Sequence, residues 1–145
     1  MKDLDDLRNR LRLKVSGGER LVFAGAGNGL SAKCAELGGA DGILIYNSGR
    51  FRMAGRGSLS GLMPYGNANE TVIDLVKEVV PVVEKIPVIA GVCGTDPFLN
   101  LDRFFREITT LGVLGIQNFP TVGLIDGDFR RALESTGISY QAEVR

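Results

Sequence analysis

The chain has 145 residues, enough for one domain with a real core, and an apolar fraction of 44% against 23% charged, the balance of an ordinary globular protein. Lysine plus arginine and aspartate plus glutamate both number 17, so total charge advertises neither nucleic acid nor an anionic membrane as partner. Histidine is absent, which excludes a Ser-His-Asp triad or Cys-His dyad within the chain and leaves acid–base chemistry to carboxylates, Lys, Tyr or Cys.

The opening MKDLDDLRNR is too charged for the apolar core of a signal peptide, and no apolar run approaches the ~20 residues of a membrane span. Cys34 and Cys93 stand apart, outside any CxxC pair, and read as free thiols of a cytoplasmic protein.

Leu4, Leu7 and Leu11 recur at helical spacing between charges, predicting an amphipathic leading helix over 3–15, closed by Ser16-Gly17-Gly18. Four βα units then fill 20–145, one domain in all. Strand 21–27 precedes a helix at 31–37, and strand 42–47, with little polar alternation, reads as buried on both faces. A loop carrying Arg50, Arg52 and Arg56 follows, in a stretch from Gly42 to Asn69 without one acid. The apolar helix near 69–85 meets Pro81, which kinks or ends it. Strand 87–94 leads to a helix at 98–111 with Leu101, Phe104, Phe105, Ile108 and Leu111 on one face, and strand 113–119 to a short helix at 129–135.

Alternating strands and helices predict a parallel sheet with right-handed crossovers. Val22-Phe23-Ala24-Gly25 returns as Val88-Ile89-Ala90-Gly91, which suggests two βαβα units in tandem. A closed eight-stranded barrel takes ~250 residues. The expectation is therefore a parallel (βα)4 half of a TIM-type barrel, completed by self-association into a homo-oligomer; the alternative is an open flavodoxin-like sheet.

Ligands of such folds gather at the C-terminal strand ends. Here those ends are Gly25-Ala26-Gly27-Asn28, Asn47-Ser48-Gly49-Arg50, Gly94-Thr95-Asp96 and Gln117-Asn118-Phe119-Pro120. The first is no dinucleotide fingerprint, because Leu30 replaces its last glycine and Asn47 its acid; an anion cradle or a tight turn both fit. Arg50, Arg52 and Arg56 offer planar forks for carboxylate or phosphate, with a solvated loop as the alternative. Asp96 is the candidate general base or magnesium ligand, and equally a helix N-cap followed by Pro97. Cys93 lacks any base to activate it. Tyr46, Asn47, Gln117 and Asn118 could hydrogen-bond a polar ligand or simply fix loops.

GAGNGLSAKCAELGGADGILIYNSGRFRMAGRGSLSGLMPYGNAN, PVIAGVCGTDPF and GIQNFPTVGLIDGDFR together resemble the phosphoenolpyruvate hydrolase-like family, also called TIM-barrel signal transduction proteins, nearly from end to end. The resemblance implies a (βα)8 barrel, distantly akin to the phosphoenolpyruvate mutase and isocitrate lyase group. It implies a pocket for a small phosphorylated or carboxylated metabolite, lined by Gly25, Gly27, Asn28, Asn47, Ser48, Arg50, Arg52, Gly94, Thr95, Asp96, Gln117 and Asn118. Hydrolase or lyase chemistry is the activity that goes with it; a non-catalytic signalling or scaffold domain binding a protein partner is the alternative. Against that pattern the sequence reaches Arg145 near the start of the fourth helix, so the expectation is half of a barrel, without the catalytic residues of a second half.

Overall fold

The computed structural model describes residues 4–145. Helix α1 (Leu4–Ser16) is the expected leading helix, whose foreseen start at residue 3 lies outside the described residues. Then come β1 (Phe23–Ala26), α2 (Gly29–Leu37), β2 (Gly42–Ile45), α3 (Asn47–Met53), a 3-10 turn (Ser58–Leu62), α4 (Ala68–Val79), β3 (Val88–Val92), α5 (Leu101–Thr110), β4 (Gly115–Asn118), α6 (Gly127–Ser135) and α7 (Tyr140–Glu143).

All four strands are parallel and lie in the order β1-β2-β3-β4, with Ala24 beside Ile43 and Ile43 beside Val88. Sequential order decides between the two expected architectures. A flavodoxin-like sheet reverses direction at a switch point, and here nothing reverses. Successive crossovers of one hand place the helices on a single face, as the wall of a barrel does.

Side chains of a strand alternate between faces. Ile43, Ile45, Val88, Ala90 and Val92 point to the helical side and form one buried cluster with Ala32 of α2, with Val72, Leu75, Val76 and Val79 of α4, and with Phe104 and Ile108 of α5. Those α4 and α5 positions follow the 3.6-residue period, which is why these segments are helices with one apolar stripe. The opposite face carries Gly25, Leu44, Tyr46, Ile89, Gly91 and Gln117, and among the described residues no helix is laid across it; Leu44 and Ile89 remain half-buried. It corresponds to the inside of a barrel.

Helix α1 closes the other end of the sheet. Leu7 is buried, Arg10 donates to the Lys85 carbonyl at 2.9 Å, and Lys14 meets Asp41 at 2.5 Å. Asp41 also accepts the Val22 N–H at 2.9 Å.

Several boundaries differ from expectation for physical reasons. The arginine segment is no loop: Asn47–Met53 is helical and ends at Ala54-Gly55, Gly55 having a φ of 75° that suits glycine. Helix α4 begins at Ala68 because the Asn67 side chain caps it, accepting the N–H groups of Asn69 and Glu70, and it ends before Pro81 in a 3-10 turn. Helix α5 starts at Leu101, capped by Asn100, so Asp96 and Pro97 are not its first residues.

Candidate functional site at the C-terminal strand ends

The four strand ends do converge on one rim, but their side chains divide into neighbourhoods with different jobs. At the end of β1, Gly27 packs so tightly on α3 that a Cβ there would overlap the Gly49 carbonyl. Asn28 caps α2: its Oδ1 accepts the Ser31 N–H at 2.8 Å, and Ser31 Oγ accepts the N–H groups of Gly27 and Asn28 at 3.2 and 3.3 Å. The next free donor, Gly29 N–H, goes to Glu78 Oε1 at 2.9 Å, and Glu78 Oε2 holds Arg50 at 3.0 Å. The cradle foreseen in GAGNG is thus filled by the protein's own hydroxyl and carboxylate, the latter favoured beside helix-terminal N–H groups.

The three arginines do not converge. Arg50 belongs to Glu78, a partner supplied by α4 and therefore invisible in the acid-free stretch around it. Arg56 lies exposed beyond the helix end. Positions 50 and 52 of one helix face different ways, so Arg52 alone turns over the open sheet face. Its Nη1 and Nη2 both donate to Tyr46 Oη at 3.1 Å, Nη1 also donates to Ser58 Oγ at 3.3 Å, and its charge lies 5.2 Å from the Tyr46 ring centre. No carboxylate pairs with Arg52 among the described residues. Tyr46 is wedged between glycines: a Cβ on Gly25 would lie 2.9 Å from its hydroxyl, and one on Gly91 2.7 Å from its Cβ. Its ring meets Phe119 at 4.9 Å. The internal repeat acquires a meaning here, since it places glycine on both flanks of one aromatic ring. Gln117 shares this inner face, in register with Gly91.

Asn47 and Ser48, both buried, act as tethers. Asn47 Nδ2 donates to the Gly61 carbonyl and Ser48 Oγ to the Ser58 carbonyl, each at 2.8 Å. They bind the 3-10 turn to the end of β2 and thereby fix the Ser58 hydroxyl that supports Arg52.

At β3, Asp96 is surrounded by donors. Asn67 Nδ2 and Asn69 Nδ2 reach its Oδ2 at 2.8 and 3.1 Å, and the Phe98 N–H its Oδ1 at 3.0 Å. Burial alone would raise this carboxyl, but the Phe98 N–H and the two amides outweigh it and hold Asp96 below the usual carboxylate range. A base held down in this way accepts protons poorly, and three of its roughly four lone-pair directions are taken. The amide orientations are locked: Asn67 Oδ1 accepts the Asn69 and Glu70 N–H groups, and Asn69 Oδ1 accepts the Cys93 N–H at 2.9 Å. Neither amide can turn an oxygen toward Asp96. Magnesium keeps most of its shell as water and takes one or two carboxylates; here the two amides occupy Oδ2, so Oδ1, with the single Phe98 N–H, is the oxygen left open to a cation. Among the described residues, no three Cys, Asp or Glu gather where a metal ion could be held. Thr95 Oγ1 lies 4.0 Å from Cys93 Sγ, and burial pushes that thiol up, aided by the charges of Asp96 and Glu143, which keeps it protonated and inert.

At β4, Asn118 Nδ2 donates to Glu143 Oε2 at 2.8 Å, as does Thr121 Oγ1 at 2.6 Å, while the Val122 N–H donates to Glu143 Oε1 at 2.8 Å. Asn118 Oδ1 is buried without a partner. Gly94 passes beneath this knot, where a Cβ would come 2.7 Å from the Glu143 carbonyl oxygen.

Sequence reasoning did not single out Asn67, Asn69, Glu78 or Glu143. Asn67 carried a readable signal, the N-x-x-E pattern of Asn67 and Glu70 before an apolar run. The others act across 21 to 49 positions of chain, and no local pattern announces such contacts.

The phosphoenolpyruvate hydrolase-like family model matches residues 6–145. The ToMV resistance protein Tm-1(GCR237) of Solanum lycopersicum is 54% identical over 135 residues, covering 93% of this chain but 18% of its own length. A putative transcriptional regulatory protein, y4pA, of Sinorhizobium fredii is 38% identical over 125 residues, which is 86% of this chain and 20% of that protein. The chain therefore spans about a fifth of the length of these curated relatives. Among solved structures, 2,3-dimethylmalate lyase superposes with a TM-score of 0.56 at 17% identity, over 96% of this chain and 47% of that one. Phosphonopyruvate hydrolase in complex with oxalate and Mg++ gives 0.54 at 23% identity, over 79% and 40%. Sequential parallel strands, helices on one face and a fold shared with somewhat under half of such barrels agree with the match along the sequence: the chain belongs to the phosphoenolpyruvate hydrolase-like family.

Proposed function

We propose that this chain binds a small carboxylated or phosphorylated acid on the inner face of its half barrel, with Arg52 as the anion-pairing group. One observation carries the reading: Arg52 is a half-buried guanidinium held by two hydroxyls and, among the described residues, no acid, above a sheet face kept open by Gly25 and Gly91. A fixed, unpaired cation at the strand ends is a preorganised anion site. Tyr46 Oη accepts both Arg52 contacts, which directs the phenol's own proton away from the guanidinium and toward a ligand. Gln117, on the same face, adds amide donors. The phosphonopyruvate hydrolase relative is described with oxalate, a small dicarboxylate of this chemical class.

Hydrolysis or C–C cleavage of an oxo-acid builds negative charge on oxygen, and a guanidinium with a phenol donor stabilises that charge where it develops. Arg50 is already neutralised by Glu78, and Asp96 serves to position loops, so neither takes a chemical role in this reading.

The test is thermal unfolding in the presence of excess oxalate or phosphoenolpyruvate. Ligand at a hundred times its Kd adds about 2.7 kcal/mol, a rise of several degrees for a chain of this size. Arg52→Ala abolishes that rise, whereas Arg56→Ala preserves it. A folded sample whose midpoint ignores both acids defeats the reading, and so does an Arg52→Ala variant that still responds.

A further inference from the structure

Beyond the Asn47–Ser48 tether, the strand ends border a second space of opposite character. A cleft of about 850 Å³ opens between the loop around Met63, the turn at Asp96 and the segment that follows β4. Its size is that of a small-molecule site. Leu62, Met63, Val122, Ile125 and Leu133 give it apolar walls. Asp96 and Glu143 both line it, yet among the described residues no lysine or arginine does. Three donors fix each carboxylate in place: two amides and an N–H on Asp96, an amide, a hydroxyl and an N–H on Glu143. Neutral donors orient those charges without cancelling them. At the mouth stand Phe98, 93% exposed, and Phe129, 64% exposed.

Each class of occupant meets this surface differently. An anion faces two like charges in an apolar surround, where repulsion is poorly screened. A neutral hydrocarbon would strip water from both carboxylates and return nothing. A cation on an apolar body satisfies walls, carboxylates and aromatic mouth together, because ring faces attract ammonium groups.

We propose that this cleft binds a small lipophilic amine, its ammonium directed to Asp96 and Glu143 and its apolar body against the Met63–Leu133 walls, with Phe98 closing over it. The site is separate from the Arg52 face and selects the opposite charge.

Phenethylammonium and its charge-reversed counterpart 3-phenylpropionate make the matched pair of probes, titrated against the full chain by calorimetry and by amide chemical shifts. The ammonium binds at least about tenfold more tightly than the carboxylate, and more weakly as salt rises. Phe98→Ala, at a site too exposed to endanger folding, lowers the ammonium affinity about threefold or more. Arg52→Ala leaves it unchanged, which separates this site from the anion site. Equal affinity for the two probes, no binding of the ammonium at about 10 mM, or indifference to Phe98→Ala each overturns the proposal.

Discussion

Asp96 shows how one side chain can suit chemistry by position and architecture by environment. Its carboxyl sits at a strand end, where a base would be wanted, yet the Asn67 and Asn69 amides and the Phe98 N–H hold it as a charged knot joining the start of α4 to the turn after β3. Asp41 does the like at the far end of the sheet, with Lys14 as the larger cause of its lowered titration and the Val22 N–H as the second. In both cases the folded carboxyl titrates below its unfolded value. The stabilisation is therefore complete above the unfolded value of about 4 and drains away as pH falls through the folded one. Urea midpoints measured from pH 6 to pH 2 fall at the acid end, and Asp96→Asn flattens that fall. The variant differs most from the parent near neutrality, and the two curves meet in strong acid. A constant gap across the range would contradict this. Residue types were legible in the sequence and partners were not: Asp96 could be named from its position after a strand, but Asn69, 27 positions away, carries no mark of the contact it makes.

Among the elements, α3 departs furthest from its sequence. Glycines around it and charges along it read as loop, but the helix forms because its neighbours are glycine where backbone must touch backbone. Gly27 lies against the Gly49 carbonyl, and Gly61 lies over Ser48 Oγ, where any Cβ would collide. Helix packing at that closeness fixes which way Arg50 and Arg52 point, and hence which is spent on Glu78 and which is left over the sheet. Gly27→Ala forces α3 outward. Overpacking of this kind costs about 1–3 kcal/mol, so the variant unfolds at lower urea, and its Arg52-dependent response to oxalate weakens as well. A parent-like midpoint would show that the contact is slack. Strands were easier to read than this helix because β2 and β3 repeat apolar residues with nothing polar between them. The short strand β4 was also legible, lying within the expected 113–119, although Ile116, 54% exposed, shows that its helical side is only partly covered.

At the scale of the whole molecule, the sequential strand order leaves β1 and β4, among the described residues, each hydrogen-bonded to one neighbour only, and the face with Leu44 and Ile89 without a covering layer. Unpaired strand edges beside half-exposed apolar side chains favour association. The apparent mass by light scattering is therefore expected to rise with concentration into the high micromolar range. A strictly monomeric, folded chain there would refute the expectation. Fold class was readable because alternation and length both follow from simple periodicities. The division of labour along the rim was not, since charge pairing between α3 and α4 depends on three-dimensional neighbours.

The seam of Leu7, Arg10 and Lys14 under the sheet has a consequence for how such a molecule can change. It is anchored at the opposite ends of the strands from Arg52 and Asp96, about 13 Å away for strands of four residues at roughly 3.3 Å each. Sequence drift at the rim can therefore rewrite the chemistry that the rim presents while the seam goes on securing the scaffold, and drift in the seam alters durability without touching the rim.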